Sequence, residues 1–251
     1  MQLVCGSLPL AEVVIRLSYG SPFNLDLNFL NGIHQMLKET FPEATISDQI
    51  ELPPGLTVSI PAPFGVNGFV LSNPQTGLKI SFGQHLISAR WVAATVAGGP
   101  AYPGFSALKD SIRTVIDALR ALKGGEPEKV SVVNMSYVDL IEASSSLDVL
   151  NYLRADCFTP PHVNELEDVY HVEHSWKEGS IDMRVQIISG SGIIDGKEVS
   201  GLKLQTVAGK LLPEPFEYSD ELDRAHECLQ HLFWNITSQK AKDKWEITQR
   251  C

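Results

Sequence analysis

The chain has 251 residues, which is enough to bury a large core as one domain or two. With 43% hydrophobic and 20% charged residues, its composition is that of a globular protein. The net charge of −10 argues against general binding to nucleic-acid backbones, which needs Lys and Arg to displace counterions, and is compatible with high solubility or with docking to a basic partner.

The cysteines and the N-terminus indicate the cellular compartment. Cys5, Cys157, Cys228 and Cys251 lie far apart and form no Cys-x-x-Cys pair, so we expect reduced thiols rather than a disulfide framework. The N-terminus has neither a charged region nor a long apolar run, which predicts no signal peptide and no membrane span. A cytoplasmic location is therefore expected.

The first part of the chain predicts a strand, a helix and then several strands. The strand covers residues 10–19 and ends at the turn sequence Gly20-Ser21-Pro22. Asn24 or Asp26 can cap the helix. Residues 46–60 predict an extended chain broken at Pro53-Pro54-Gly55, and residues 69–72, 78–82 and 86–95 predict a meander of strands separated by turns. The helix is indicated by apolar residues at three- and four-residue spacing, namely Leu27, Leu30, Ile33, Leu37 and Phe41.

The most regular helix and strand patterns follow each other in the middle of the chain. Pro103 suits the first helical position, and Gly124 suits a C-cap. A strand is predicted from about Lys129 to Ile141, and since both of its faces are largely apolar we expect it to be covered on both sides. The helix presents one apolar stripe formed by Phe105, Leu108, Ile112, Val115, Ile116, Leu119 and Leu122.

The rest of the chain predicts a short helix, more strands and a final helix. Residues 169–176 and 181–189 predict a hairpin whose second strand alternates apolar and polar residues, as in a sheet with one wet face. Residues 199–207 predict another strand. The final helix runs from about Ser219 to Thr237, and a weak likeness exists between the two halves of the chain.

Strands occur in runs rather than alternating one by one with helices. This order favours an α+β fold of mainly antiparallel sheets in two lobes, each backed by long amphipathic helices. The expected lobes are residues 1–142 and 143–251, and one continuous domain is the alternative.

Common catalytic and cofactor motifs are absent. Ser189-Gly190-Ser191-Gly192 lacks the spacing of a nucleophile elbow, and Gly98-Gly99-Pro100 has no lysine for a phosphate-binding loop. No dinucleotide-binding Gly-x-Gly-x-x-Gly follows a strand. The sequence therefore favours a protein without a catalytic site, and no cofactor is expected.

Three histidines form a weak candidate metal site. His162, His171 and His174 lie close in sequence to the carboxylates of Glu165, Glu167 and Glu173. On an extended strand, however, His171 and His174 point to opposite faces and cannot share an ion unless the strand is bulged. Ordinary sheet histidines are the favoured interpretation.

The remaining candidate residues are two polar residues of the central strand, an arginine on another strand and a tryptophan of the final helix. Tyr137 and Asp139 share a face of the central strand, and Arg90 lies in a strand expected nearby. A carboxylate on an apolar strand must be paired, hydrogen-bonded or at the mouth of a cavity. Asp139 is thus expected to hydrogen-bond a backbone turn or, alternatively, to line a ligand cavity. Trp234 is expected to be half-exposed and able to contact a partner, and Trp245 to pin the C-terminal tail.

Four stretches resemble a sporadically distributed prokaryotic family of uncharacterised proteins of about this length: residues 9–15, residues 102–105, residues 133–141, and the C-terminal set His226, Phe233, Ile236, Thr237 and Trp245. The chain departs from the family pattern at Val132 and Ser136, where arginine is expected, and at Asp139, where asparagine is expected. The family has no established activity. Its patchy distribution implies mobile or defence-associated genes.

Three functions are therefore considered. The leading hypothesis is a non-catalytic interaction or regulatory protein with a protein partner, such as an accessory or immunity-type component of a prokaryotic anti-phage defence or toxin–antitoxin locus. The first alternative is a small-ligand-binding protein with a cavity between a curved sheet and the C-terminal helix. The second is a metal-dependent hydrolase that uses the histidines named above.

Overall fold

The computed structural model describes residues 2–4, 9–22, 25–47, 49–51, 57–59, 68–93, 100–122, 129–142, 149–154, 171–194, 197–212 and 218–250. In chain order these residues form β1 (Gln2–Val4), β2 (Leu10–Tyr19), α1 (Leu27–Leu37), β3 (Glu43–Ser47), β4 (Gln49–Glu51), β5 (Thr57–Ser59), β6 (Gly68–Asn73), β7 (Leu78–Gly83), β8 (Leu86–Val92), α2 (Phe105–Ala121), β9 (Val130–Glu142), α3 (Val149–Tyr152), β10 (His171–Glu178), β11 (Ile181–Ile194), β12 (Lys197–Leu211), α4 (Tyr218–Ile236), α5 (Gln239–Lys244) and β13 (Thr248–Arg250).

The centre of the fold is an antiparallel sheet of nine strands in the order β10-β11-β12-β9-β2-β8-β7-β6-β3. The α+β class expected from the sequence is confirmed. The expectation of separate sheets in two lobes is not confirmed, because β9 pairs directly with β12 and the sheet continues across the expected boundary after Glu142.

The sheet has an approximate internal twofold arrangement. Strands β2 and β9 are antiparallel neighbours at its centre. Strands β8, β7 and β6 follow outward on one side, and β12, β11 and β10 follow in the same way on the other. In each half the innermost of these strands, β8 or β12, is the last in chain order and leads to a long helix, α2 or α4. The weak likeness between the two halves of the sequence thus has a counterpart in the topology.

Helices α1, α2 and α4 form a layer on one face of the sheet, which we call the helix-covered face. Helix α4 packs on β9 and β12, helix α2 packs on β8 and β7, and α1 packs against α2. The Lys109 ammonium on α2 lies 2.6 Å from the Asp223 carboxylate on α4 and links the two helices. Helix α2 buries side chains that recur every three or four residues, including Leu108, Ile112, Val115 and Leu119.

The residues at the starts of α1 and α2 explain where these two helices begin, and the start of α2 differs from its prediction. The Asp26 carboxylate accepts a 2.8 Å hydrogen bond from the backbone N–H of Phe29 and caps α1, as predicted. Helix α2 begins at Phe105 rather than Pro103, because Gly104 adopts φ 94°, a conformation that is open to glycine and excludes a helical turn. Gly124 lies outside the described residues.

The central strand β9 is covered unequally on its two faces. Val133, Met135 and Ile141 are buried against the helix layer. On the opposite face Ser136 and Val138 are also buried, although Leu140 remains 48% exposed. The expectation of cover on both sides therefore holds for only part of the strand. None of the helices in the ranges given above is long and apolar enough to cross a membrane.

Candidate functional site

The sheet separates the residues that the sequence proposed as one site. Strand register places Tyr137 beside Val13 and Ser136 beside Val14, while Arg90 pairs with Val14. Since residues directly opposite in a ladder share a face, Tyr137 lies on the helix-covered face and Arg90 on the other. The structure therefore does not bring Arg90 together with Tyr137 and Asp139.

On the helix-covered face, Tyr137 meets a histidine that the sequence analysis did not assign to it. The Tyr137 hydroxyl lies 2.9 Å from Nδ1 of His226 on α4. The His226 ring stacks on Phe105 of α2, with centroids 4.0 Å apart and planes 14° apart. Burial lowers the pKa of His226 to about 4, against a weaker upward effect from Asp223, so the imidazole is neutral at pH 7. Side chains thus fill the space between β9 and α4 at this point.

The sequence around Gly104 places two aromatic residues in this cluster. Tyr102 precedes the glycine and lies 5.2 Å from the Trp91 ring, and Phe105 follows it and stacks on His226. The Tyr102 hydroxyl is buried without a hydrogen bond of normal geometry. Burial raises the pKa of Tyr102 to about 12, although the neighbouring Tyr137 hydroxyl lowers it slightly. The cluster is therefore an uncharged polar contact between helices and sheet.

Asp139 lies further along β9 in an apolar setting. It is 2% exposed and pairs with Leu10 and Leu204 on the neighbouring strands. A register shift between Leu10 and Glu12 places a bulge in β2 beside it. Burial raises the pKa of Asp139 from 3.8 to about 7, so protonated and ionised forms are both populated near neutral pH. The hydrogen bond to a backbone turn expected for this carboxyl stays a prediction.

The face opposite the helix layer, which we call the open face, carries many polar side chains, although residues at its centre such as Val14, Ser136 and Val207 are buried. No helix of the described ranges packs on it. It is defined by residues that pair with one another from edge to edge of the sheet, and one such row is Glu43, Ser72, Lys79, Arg90, Val14, Ser136, Val207, Arg184 and Ser175.

The open face carries more positive than negative side chains, in contrast to the chain as a whole. Its described acidic residues are Glu12, Glu43, Glu173 and Asp182, and its described basic residues are Arg16, Lys79, Arg90, Lys177, Arg184 and Lys203. This is an excess of two positive charges on a protein whose net charge is −10. Two of these cations have close carboxylate partners on the same face, since Arg90 Nε lies 2.5 Å from the Glu12 carboxylate and the Lys177 ammonium lies 3.1 Å from Asp182.

A groove of about 490 Å³ crosses β9, β12, β11 and β10 on the open face. Gly209 shapes its floor: a Cβ atom there would lie 2.9 Å from the Asn134 amide nitrogen, so glycine leaves room for that side chain. The Lys177 ammonium contacts Asp182 at 3.1 Å, whereas Arg184 lies 3.9 Å from Glu173 and is only weakly engaged by it. The groove is lined by Asn134, Ser175, Trp176, Lys177, Asp182, Met183, Arg184, Val207 and Gly209.

A buried polar atom without a partner lies near this groove. Gln205, on β12 two residues before Val207, is 3% exposed, and its side-chain oxygen is buried with no hydrogen bond. Such an atom is unfavourable unless a further group approaches it. Its neighbours across the ladder are Val138 and Gln186.

The histidines do not assemble a metal site within the described residues. His171 pairs with Ile188 and His174 with Val185, which places them on opposite faces as predicted. The His171 ring contacts the Gln186 amide at 3.0 Å. Nowhere in the described ranges do three or more His, Cys, Asp or Glu side chains gather at one point. His162 and Cys157 lie outside these ranges.

The C-terminal aromatic residues serve mainly to hold the end of the chain. Trp245 is buried and stacks on Tyr152 and Phe233, so its predicted role in pinning the tail is confirmed. Trp234 is half-buried, as expected. The Lys242 ammonium lies 3.9 Å from the centre of the Trp234 ring and covers one of its faces.

Sequence reasoning missed the groove and the His226 contact for different reasons. The alternation in β11 indicated a wet face that includes Arg184, but nothing in the sequence placed Asn134 beside Gly209 across two strands. His226 lies on the α4 side that contacts α2 and β9, and its link to Tyr137 depends on helix packing. Comparison with protein-family models, curated proteins and solved structures finds no match for this chain.

Proposed function

We propose that the protein is a non-catalytic binding protein that holds an acidic region of a partner protein on the open face of its sheet. The observation that carries this proposal is the groove across four strands, with Arg184 and Lys177 at its rim, on a face that is more basic than the rest of the chain. A cationic face on an acidic protein attracts and orients a carboxylate-bearing surface.

The polar chemistry of the groove supports recognition rather than simple solvation. Arg184 presents a guanidinium fork whose contact with Glu173 is long, which leaves donors for a carboxylate. Asn134 adds an amide on the groove floor.

The total charge of −10 is compatible with high solubility or with a basic partner. The distribution of charge favours an acidic partner for the open face, because binding depends on the local electrostatic field rather than on the net charge of the protein. The two positions at which the family resemblance leads us to expect arginine, Val132 and Ser136, both belong to the open face. An accessory or immunity-type role in a defence or toxin–antitoxin locus fits such a surface and rests on the resemblance.

The proposal is tested by matched charge reversals. Tagged wild-type protein, R184E/K203E on the open face and R113E/R120E on the exposed side of α2 are compared by quantitative mass spectrometry of proteins recovered from the native host. We expect one stoichiometric partner that the helix-side variant retains and the open-face variant loses, with affinity reduced at least about 10-fold because each reversal opposes like charges. Equal recovery by both variants, or no stoichiometric partner at all, would refute it.

Small-ligand binding is a second candidate, and the groove itself favours it. Its volume lies within the range of about 300–1,000 Å³ that is usual for ligand sites. The site differs from the cavity expected beneath the C-terminal helix, where Tyr137, His226 and Phe105 fill the space.

Native mass spectrometry separates this candidate from the first. A bound small molecule should be present in the wild type and lost in Gly209→Ala, whose added methyl displaces the Asn134 amide. Gly83→Ala is the matched control, because its added methyl meets Leu86 at an ordinary 3.7 Å. Absence of any bound compound from gently purified wild type removes this candidate.

A further inference from the structure

Strand β10 forms one edge of the nine-stranded sheet, and within the described residues no strand pairs with its outer side. Seven of its eight residues are exposed, which distinguishes it from the central strands. Trp176, at 37%, is one of the exposed large hydrophobic residues of the protein. An exposed edge of this length offers backbone hydrogen-bonding groups to a strand of another chain.

The turn that follows β10 determines which of its backbone groups point outward. Glu178 pairs with Ile181, so Gly179 and Ser180 form a two-residue hairpin loop, and Gly179 adopts φ 61°. In such a hairpin the residues that flank the loop exchange both hydrogen bonds, and hydrogen-bonded pairs then alternate along the ladder. Even-numbered residues of β10 therefore bond to β11. The outward backbone groups belong to His171, Glu173, Ser175 and Lys177.

We propose that β10 pairs antiparallel with β10 of a second copy of the protein, around a twofold axis at Ser175, so that the two sheets become one. The axis is fixed by charge. In this register Glu173 of each copy lies opposite Lys177 of the other, and twofold symmetry makes this ion pair twice. Each Lys177 then lies between Asp182 of its own chain, 3.1 Å away, and Glu173 of the second copy.

Neighbouring registers are less favourable. An axis at Glu173 would oppose two carboxylates, and an axis at Lys177 would oppose two ammonium groups. An axis at His174 or Trp176 would leave Glu173 or Lys177 opposite Ser175 and would form no ion pair. The charges that discourage indiscriminate pairing of this edge thus select one pairing.

The same register covers the exposed tryptophan. On the helix-covered side, His174 of one copy lies opposite Trp176 of the other in a pair without mutual hydrogen bonds, where side chains approach most closely. An aromatic cross-strand pair of this kind stabilises antiparallel strands. The paired strands also place the two grooves side by side, since Ser175, Trp176 and Lys177 line the groove of each copy.

Two complementary charge reversals test the proposal. Sedimentation equilibrium is measured from about 1 to 200 µM, a range that covers micromolar dissociation constants, for the wild type, E173K, K177E and their equimolar mixture. E173K makes both positions cationic and K177E makes both anionic, so each homodimer should weaken at least about 10-fold because like charges meet twice. The mixture should associate as a heterodimer within about threefold of the wild-type affinity, since both charge contacts between the two copies are again between opposite charges.

R113E on α2 is the matched control, and its dimer should equal that of the wild type. Near-UV circular dichroism establishes that each variant is folded. A wild type that stays monomeric over the whole range overturns the proposal. So does a dimer that E173K and K177E leave unchanged, because association would then use another surface. Failure of the mixture to recover association equally rejects the Ser175 axis, whatever the single variants do.

Discussion

Replacement of Asp139 by asparagine should remove an unusual dependence of stability on pH. Burial raises the pKa of this carboxyl from 3.8 to about 7 in the folded protein. Between about pH 4 and pH 7 the unfolded chain has released the proton while the folded chain retains it, so the free energy of unfolding falls as pH rises. Above pH 7 the carboxyl is ionised in both the folded and the unfolded chain, and the folded protein then bears the full free-energy cost of burying the charge.

The magnitude follows from the pKa difference. At about 1.4 kcal/mol per pKa unit, a rise of about three units destabilises the folded protein by about 4 kcal/mol above pH 7. Solvent screening does not reduce this figure appreciably, because Asp139 is only 2% exposed. Asparagine resembles the protonated carboxyl in shape and charge, so D139N should match the wild type near pH 4 and exceed its stability at pH 8.

Urea unfolding followed by far-UV circular dichroism measures this effect. The difference in free energy of unfolding between D139N and the wild type should grow from near zero at pH 4 to about 4 kcal/mol at pH 8. D117N, which removes an exposed carboxylate from α2, controls for the change in net charge. A difference that stays flat with pH, or a D139N protein that is less stable at pH 8, would show that the ionised carboxylate is specifically stabilised and would refute the reasoning.

Two further predictions concern the helix-covered face, and a third concerns the C-terminal aromatic stack. Tyr137→Phe removes the hydrogen bond to His226 and should lower the free energy of unfolding by about 1 kcal/mol; an unchanged urea midpoint would contradict this. His226→Gln should show a pH effect opposite to that of Asp139, since the pKa of about 4 means that wild-type stability is lost as pH falls from 6.5 towards 4; a pH-independent difference would contradict it. Trp245→Ala should destabilise by about 3–5 kcal/mol through loss of its stacked contacts, and a thermal unfolding shift equivalent to less than about 1 kcal/mol would show that the C-terminal stack is not part of the cooperative core.

Local patterns in the sequence were sufficient to locate the middle of the fold. Strand β9 lies within one residue of its predicted bounds, because alternating valines and other apolar residues leave few other conformations. Helix α2 is displaced at its start by Gly104, whose positive φ depends on the chain entering from Tyr102. The joining of all strands into one sheet was not predictable in this way, because the pairing of β9 with β12 connects residues about 60 or more positions apart.

The candidate site was harder to predict, and Arg90 shows why. Within a strand, alternate residues share a face, but between strands the face depends on register, and a shift of one residue exchanges the two faces. Trp91, the neighbour of Arg90, pairs with Val13 and so lies on the face of Tyr137. The sequence therefore selected a strand that does reach the face of Tyr137, but the wrong side chain of that strand. The bulge between Leu10 and Glu12 shows in addition that the alternation of faces is interrupted within β2 itself.

The two faces of the sheet carry different kinds of polar group, and this difference bears on function. Asp139 and His226 lie between helices and sheet, where burial shifts each pKa towards the neutral form. A permanently charged guanidinium has no neutral form to adopt at physiological pH, and Arg184 and Arg90 lie on the face without helices, each beside a carboxylate. A cation that does lie against the helix layer is paired there, as the Lys210 ammonium is with the buried Glu221 carboxylate at 2.8 Å. Arg184 and Lys177 on the open face are more exposed than Lys210, and the proposed binding of carboxylates rests on that difference.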